Sequence, residues 1–284
     1  MDWRGEFYKH HPKLPLDAEE KLVLEDENRL RLRVEFTSMN EHRVPAILTL
    51  PRGVARAPVC VILHGVNGHK EASYVKAATR YLIKEGFAAI ALDSQYHGDR
   101  ARDDRSGRFH NYTSYTNRNA SIQTALDCMR AVDYVRSRSD TDPERIGFMG
   151  FSQGAIVGST FCARDPRVRA VVLVVGGGNF MRMYPPPPHE EARRRTEAIF
   201  ETVDPIHHIG LISPRPLLMI NAERDDVIPR ECTEDLFASA GEPKRIIWYD
   251  APHSGLPAES FVEAMVFFRK VLGFPDEANL EGVA

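Results

Sequence analysis

Hydrophobic positions change their spacing part-way along the chain. From Lys21 to Leu50 they recur at every second residue in three short runs, Lys21-Leu22-Val23-Leu24, Leu30 to Phe36 and Val44 to Leu50, with polar breaks at Glu27-Asn28 and Asn40-Glu41. Period two with polar breaks predicts antiparallel strands. After Pro58 the runs become continuously apolar: Val59 to Leu63, Ala88 to Leu92, Ile146 to Met149, Val168 to Val175, Leu217 to Ile220 and Arg245 to Tyr249. Strands apolar on both faces belong to a parallel sheet covered by helices. Between the runs lie helix-length amphipathic stretches at Ser73 to Glu85, Arg118 to Ser137, Ala155 to Ala163, Glu231 to Ser239 and Ala258 to Leu272. The order predicts one α/β domain over residues 1–284, with an antiparallel start followed by a mostly parallel, doubly wound sheet.

Three segments fall outside this rhythm. Residues 1–20 read as an N-terminal arm, irregular to about Pro15 and packed on the domain. The connections at 96–117 and 176–212 are too long for turns, and both leave the sheet at strand C-terminal ends, where α/β domains bind ligands. They are expected to form a small cap over the site. Pro185 to Pro188, inside the second connection, also admits reading as a short polyproline segment.

Composition narrows the classes. With 284 residues, 43% hydrophobic and 27% charged, the chain is ordinary for a globular domain. A formal charge of −3 argues against nucleic acid or an anionic membrane as partner, and Arg193-Arg194-Arg195 is a brief run on a mixed, helical surface. The polar start Met1 to Glu6 lacks the apolar segment of a secretory signal, and no apolar run reaches membrane-spanning length. Cys60, Cys128, Cys162 and Cys232 are far apart, with neither CxxC pairing nor metal-ligand spacing. Reduced, structural cysteines and a cytoplasmic location are expected, with no metal, no membrane and no nucleic acid; a homo-oligomer stays open.

The chemistry centres on Gly150-Phe151-Ser152-Gln153-Gly154, placed directly after a predicted strand and before a predicted helix. That is the context in which Gly-x-Ser-x-Gly forms a nucleophile elbow, a strained turn presenting the serine hydroxyl above the sheet. A serine needs a base to take its proton, and the base needs an acid to orient it. His253 follows the last predicted strand in a Gly-containing loop, and Asp225, Asp226 and Asp250 all lie near strand ends. The strand Val59 to Leu63 runs into His64-Gly65-Val66-Asn67-Gly68-His69-Lys70, a turn opening the first helix. Amides there lack helical acceptors, so the Val66 N–H is expected to stabilise an oxyanion together with the Gln153 N–H. Neither a dinucleotide-binding nor a Walker pattern is present.

Taken together, His64 to Glu71, the elbow, Asp225 to Pro229 and His253, in the order Ser, Asp, His, resemble the α/β-hydrolase superfamily, in its branch of dienelactone hydrolases and prolyl-oligopeptidase-like esterases, including cinnamoyl and feruloyl esterase-like members. The resemblance covers roughly Leu30 to Leu272. It implies the α/β-hydrolase fold and favours Asp225 as the acid, four residues ahead of Pro229, where the family's Asp-x-x-Val-Pro pattern puts it. It also implies a small-molecule ester substrate and no cofactor. Dienelactone hydrolases proper usually carry a cysteine nucleophile, and serine at 152 favours ester over dienelactone hydrolysis. Asp93 to Arg100 is similar to the loop after the fourth strand of these esterases, where Tyr96 and His97 either line the pocket or hold the loop. Met183 and Tyr184 are further pocket candidates from the second connection. The expected activity is hydrolysis of carboxylic esters with small to medium acyl or aryl groups through an acyl-enzyme. Peptide or thioester cleavage on the same fold, or a non-catalytic binding protein, are the competing readings.

Overall fold

A computed structural model describes residues 2–101, 112–184 and 186–273. Nine strands form one sheet: β1 (Glu19–Glu25), β2 (Arg29–Thr37), β3 (Arg43–Pro51), β4 (Ala57–Leu63), β5 (Ala88–Leu92), β6 (Thr141–Phe151), β7 (Val168–Val174), β8 (Leu217–Arg224) and β9 (Lys244–Pro252). Among the described residues seven α-helices accompany them: α1 (Ser73–Lys84), α2 (Tyr115–Arg136), α3 (Gln153–Arg164), the four-residue α4 (Phe180–Met183), α5 (Glu190–Val203), α6 (Arg230–Ser239) and α7 (Glu259–Leu272).

The strand order is β1-β2-β3-β5-β4-β6-β7-β8-β9. The pairs β1/β2, β2/β3 and β3/β5 are antiparallel, and the pairs from β5/β4 to β8/β9 are parallel. The antiparallel start and parallel remainder are those expected from the change in hydrophobic spacing, and the whole is the α/β-hydrolase-like fold that the resemblance implied. The continuous apolar runs arise because both faces are covered. Along β4, Val59, Val61 and Leu63 enter a core shared with α2, α3, α5 and α6, while Cys60 and Ile62 enter a second core under α1 and α7. At the outer edge the exposed β1 is held by pairing such as Leu22 with Leu32.

The direction of winding reverses between β4 and β6, which are neighbours in the sheet. Open α/β sheets bind ligands at such a reversal because the loops leaving the two strands diverge and expose a crevice. Here the loops are the turn after β4 and the elbow after β6.

Several boundaries differ from those expected. β6 starts at Thr141 because Thr141 pairs with Ala57, although Asp142-Pro143-Glu144 does not read as strand. Residues 176–212 are largely helical: α5 buries Thr196, Ile199, Phe200 and Val203, and its arginine run lies exposed, with Arg193–Glu197 and Arg194–Glu190 ion pairs. Asp204 anchors the start of this segment by accepting N–H bonds from Phe180, Ile206 and Asn179, and burial still pushes its carboxyl up to about 6. In the other expected cap segment, residues 102–111 lie outside the described residues, and α2 already begins at Tyr115. The N-terminal arm contains a 3-10 turn at Trp3–Tyr8 and is pinned where the buried Arg130 of α2 donates to the carbonyls of Leu14 (2.8 Å) and Pro15 (3.0 Å). Among the described residues no helix is long and apolar enough to cross a membrane.

Candidate active site

Ser152 stands between β6 and α3 with φ 52° and ψ −114°, a conformation that costs a non-glycine residue energy and turns its side chain out of both elements. Its N–H donates to Val174 O at 2.8 Å. The flanking glycines are required by contact distance. A Cβ at Gly150 would lie 2.4 Å from Gly154 O, and one at Gly154 would lie 2.3 Å from Leu63 O. Strand, turn and helix therefore pack at backbone contact, which holds the serine in place.

β8 ends beside β9, and the turns that follow them bring two further groups to Ser152. His253 Nε2 lies 2.9 Å from Ser152 Oγ, and its Nδ1 lies 2.8 and 2.7 Å from the two carboxylate oxygens of Asp225. A carboxylate only accepts, so Nδ1 carries the ring proton and Nε2 is left to accept from the Ser152 hydroxyl. Asp225 Oδ1 also accepts the N–H groups of Val227 (2.9 Å) and Ile228 (2.8 Å), which fold the turn after β8 around it. Burial raises the Asp225 carboxyl, but the hydrogen bonds from His253, Ile228 and Val227 outweigh it and hold the group below the ordinary carboxylate range. The other two acids stand elsewhere: Asp226 is exposed, and Asp250 pairs with Arg224 at 2.6 Å in solvent.

Gly65 and Val66 face the same space. Gln153 is the first residue of α3, so its N–H is one of the amides that a helix leaves without an internal acceptor. The turn carrying Val66 is braced from several sides. Gly68 N–H donates to Gly65 O (3.0 Å), and Gly65 N–H donates to Tyr74 Oη (3.0 Å). His64 Nε2 accepts the Ser94 N–H (3.1 Å), so its Nδ1 donates to Gly65 O (2.7 Å); burial lowers this ring to about 4 and keeps it neutral. Behind it, Lys70 is buried, donating its amide to Asp93 Oδ1 (2.8 Å) and its ammonium to Asp93 Oδ2 (2.7 Å) and Asp99 Oδ2 (2.6 Å). Arg100 extends the network to Asp127 of α2 at 2.6 Å. The sequence motif contains Lys70, but its partners come from another loop, and pattern reading did not join them.

A cavity of about 350 Å³ opens beside Ser152 and His253, walled by Tyr74, Phe151, Val174, Val175, Leu256 and Phe261. None of the four residues expected to contact substrate is among its lining. Tyr96 borders a separate cavity of about 390 Å³ with Met39 and Gln123. His97 is buried with its ring 5.1 Å from His64, and burial lowers its titration. Met183 ends α4, and Tyr184 packs in an aromatic group with Phe180 (5.6 Å), Tyr112 (6.1 Å) and Phe200 (6.3 Å). Among the described residues, no cluster of three or more His, Cys, Asp or Glu is placed to hold a metal ion.

Residues 44–260, which include Ser152, Asp225 and His253, match the model of the Dienelactone hydrolase family. The chain belongs to that family. Among curated relatives, YfhR of Escherichia coli (strain K12) is 32% identical over 123 residues, 43% of this chain and 42% of that protein. The quorum-quenching protein AidA of Acinetobacter baumannii (strain MDR-ZJ06) is 29% identical over 142 residues, 50% of this chain and 42% of that protein. The matched stretch thus spans less than half the length of either relative. Among solved structures, the acetyl xylan esterase from Paenibacillus sp. R4 superposes with a TM-score of 0.76 at 22% identity, covering 95% of this chain and 93% of that one. Acetyl xylan esterase 1 from Thermoanaerobacterium sp. JW/SL YS485 gives 0.78 at 18% identity, covering 95% and 92%. These two solved structures share the fold of this chain.

Proposed function

We propose that this dienelactone hydrolase family member is a serine-dependent carboxylic-ester hydrolase that works through an acyl-enzyme. The observation that carries the reading is the continuous hydrogen-bonded line from Ser152 Oγ through His253 to Asp225, at 2.9 and 2.7 Å, opening on a cavity. As the ester carbonyl is attacked by Ser152 Oγ, His253 Nε2 takes the hydroxyl proton and Asp225 holds the ring and stabilises its cation. Negative charge gathers on the carbonyl oxygen, and in this reading the amides of Val66 and Gln153 receive it; fixed donors of this kind contribute about 3 to 4 kcal/mol each. His253 then hands the proton to the leaving alcohol, activates water against the acyl-enzyme, and returns the proton to Ser152. The Ser152 proton leaves on the alcohol and the attacking water supplies its replacement, so the site ends as it began.

The test is hydrolysis of p-nitrophenyl acyl esters by the wild type and by Ser152→Ala. Loss of essentially all activity in the variant, with wild-type protein labelled by a fluorophosphonate at Ser152, is expected. Equal rates in the two proteins would overturn the assignment.

A further inference from the structure

The cavity beside Ser152 is more specific than the proposed reaction requires. No carboxylate, ammonium or guanidinium belongs to its lining among the described residues, and His253 is already engaged by Ser152 and Asp225. Its walls are braced by ring packing. Phe151 meets Tyr74 edge-on at 5.1 Å and Phe261 at 6.3 Å, and Phe261 in turn stacks on Tyr81 of α1 at 5.3 Å. The space therefore lies on the α1 and α7 side of the sheet. Its lining joins Gly65, Val66 and Ser152 to the half-buried Leu256 and the 53% exposed Val227.

We infer that this slot receives an uncharged, apolar arm of the ester, and that Leu256 and Phe261 set the length it accepts. The inference rests on the ester-hydrolase reading and names the side of the site that selects substrate. At about 30 Å³ per water-sized group, 350 Å³ holds on the order of ten non-hydrogen atoms, so an eight-carbon chain or a ring on a short linker fits. Each buried methylene contributes up to about fourfold in kcat/KM. An anionic end group in the slot would lose water and meet no opposite charge among the described lining residues, so a charged arm is rejected. The arm has two possible sources, the acyl chain or the alkoxy group, and both present the same chemistry to these walls.

The experiment measures kcat/KM for two ester series, p-nitrophenyl esters from acetate to decanoate and acetate esters of methanol to octanol, together with a p-nitrophenyl half-ester of a dicarboxylic acid. Wild type, Leu256→Trp and Phe261→Leu are compared through the ratio of the eight-carbon substrate to the shortest one, which does not depend on the fraction of active protein. In one series the wild-type rate should climb with length to about eight carbons, and where that is the acyl series the half-ester should fall at least a hundredfold below its neutral counterpart. Leu256→Trp should lower the ratio at least tenfold, and Phe261→Leu should move the optimum to a longer chain; the series that responds identifies the arm. Ratios unmoved by both variants in both series, with wild type still hydrolysing acetate, would overturn the slot and leave the ester reading standing. A wild type that hydrolyses no ester would overturn the ester reading, and the slot with it.

Discussion

Replacing Asp225 by asparagine changes one atom's chemistry and little of its shape. In the wild type Oδ1 accepts from Val227 and Ile228 while His253 Nδ1 sits 2.7 Å from Oδ2. Asparagine keeps the turn by leaving its carbonyl oxygen toward Val227 and Ile228. Its amide then faces Nδ1 as a donor, so the ring must carry its proton on Nε2, where it can no longer accept from Ser152 2.9 Å away. Loss of the working tautomer costs about 10⁴-fold in kcat in the well-studied Ser-His-Asp case, or about 5.5 kcal/mol at 1.36 kcal/mol per decade. The assay is p-nitrophenyl butyrate hydrolysis at pH 8 beside a thermal melt, with the exposed Asp226→Asn as control. Acid stability supplies a second readout. Because the folded Asp225 carboxyl lies below its ordinary value, it contributes stability above that ordinary value, and the contribution is lost as pH falls through the folded one. Asp225→Asn should therefore lose less stability than wild type on acidification below about pH 4. A fall in kcat of less than about tenfold in a protein with an unchanged fold would refute this account of the site, as would an equal fall in Asp226→Asn.

Three further outcomes are expected. Gly154→Ala should destabilise the protein by about 3 kcal/mol or more, or prevent folding, since the new Cβ meets Leu63 O at 2.3 Å; a thermal melt within a degree of wild type would contradict it. Tyr74→Phe leaves the Gly65 N–H without its 3.0 Å acceptor, a loss of about 1 to 2 kcal/mol, and should lower kcat roughly tenfold with KM within about twofold, whereas a raised KM at constant kcat would make the hydroxyl a substrate contact. All four cysteines are free and buried, and burial raises their thiols, so a thiol reagent should find none in the native protein and four after denaturation.

The fold was legible because its physics is local to each strand. A run such as Val59 to Leu63 is apolar throughout only when helices cover both faces, and that pattern survives without knowledge of partners. The geometry around Ser152 was legible for a related reason, since Ser152, Asp225 and His253 each follow a strand that the pattern exposes. Choosing Asp225 over its neighbours required the family resemblance, because Asp225 and Asp226 differ in direction and not in composition. The slot was not legible. Tyr74, Leu256 and Phe261 read as ordinary residues of two amphipathic helices and a loop, and only the meeting of α1 with α7 brings them to Ser152. The family resemblance directed attention to Tyr96 and His97, and the second long connection to Met183 and Tyr184. The Lys70–Asp93–Asp99 network stayed hidden because ion pairs between loops leave no period in the chain.

The order of the sheet has a consequence for how activity fails. His253 is carried just past β9, an edge strand, and Asp225 just past β8, the only strand to which β9 pairs among the described residues, while Ser152 sits near the middle, just past β6. The two halves of the proton path therefore belong to regions that can part company. Local melting that peels β9 from the edge would remove the base while the central strands β4, β6 and β7 stayed hydrogen-bonded, and the protein would keep its bulk secondary structure with no turnover. Mild heat or denaturant should silence the site before the circular-dichroism signal moves, so working lifetime is governed by the grip of one border strand.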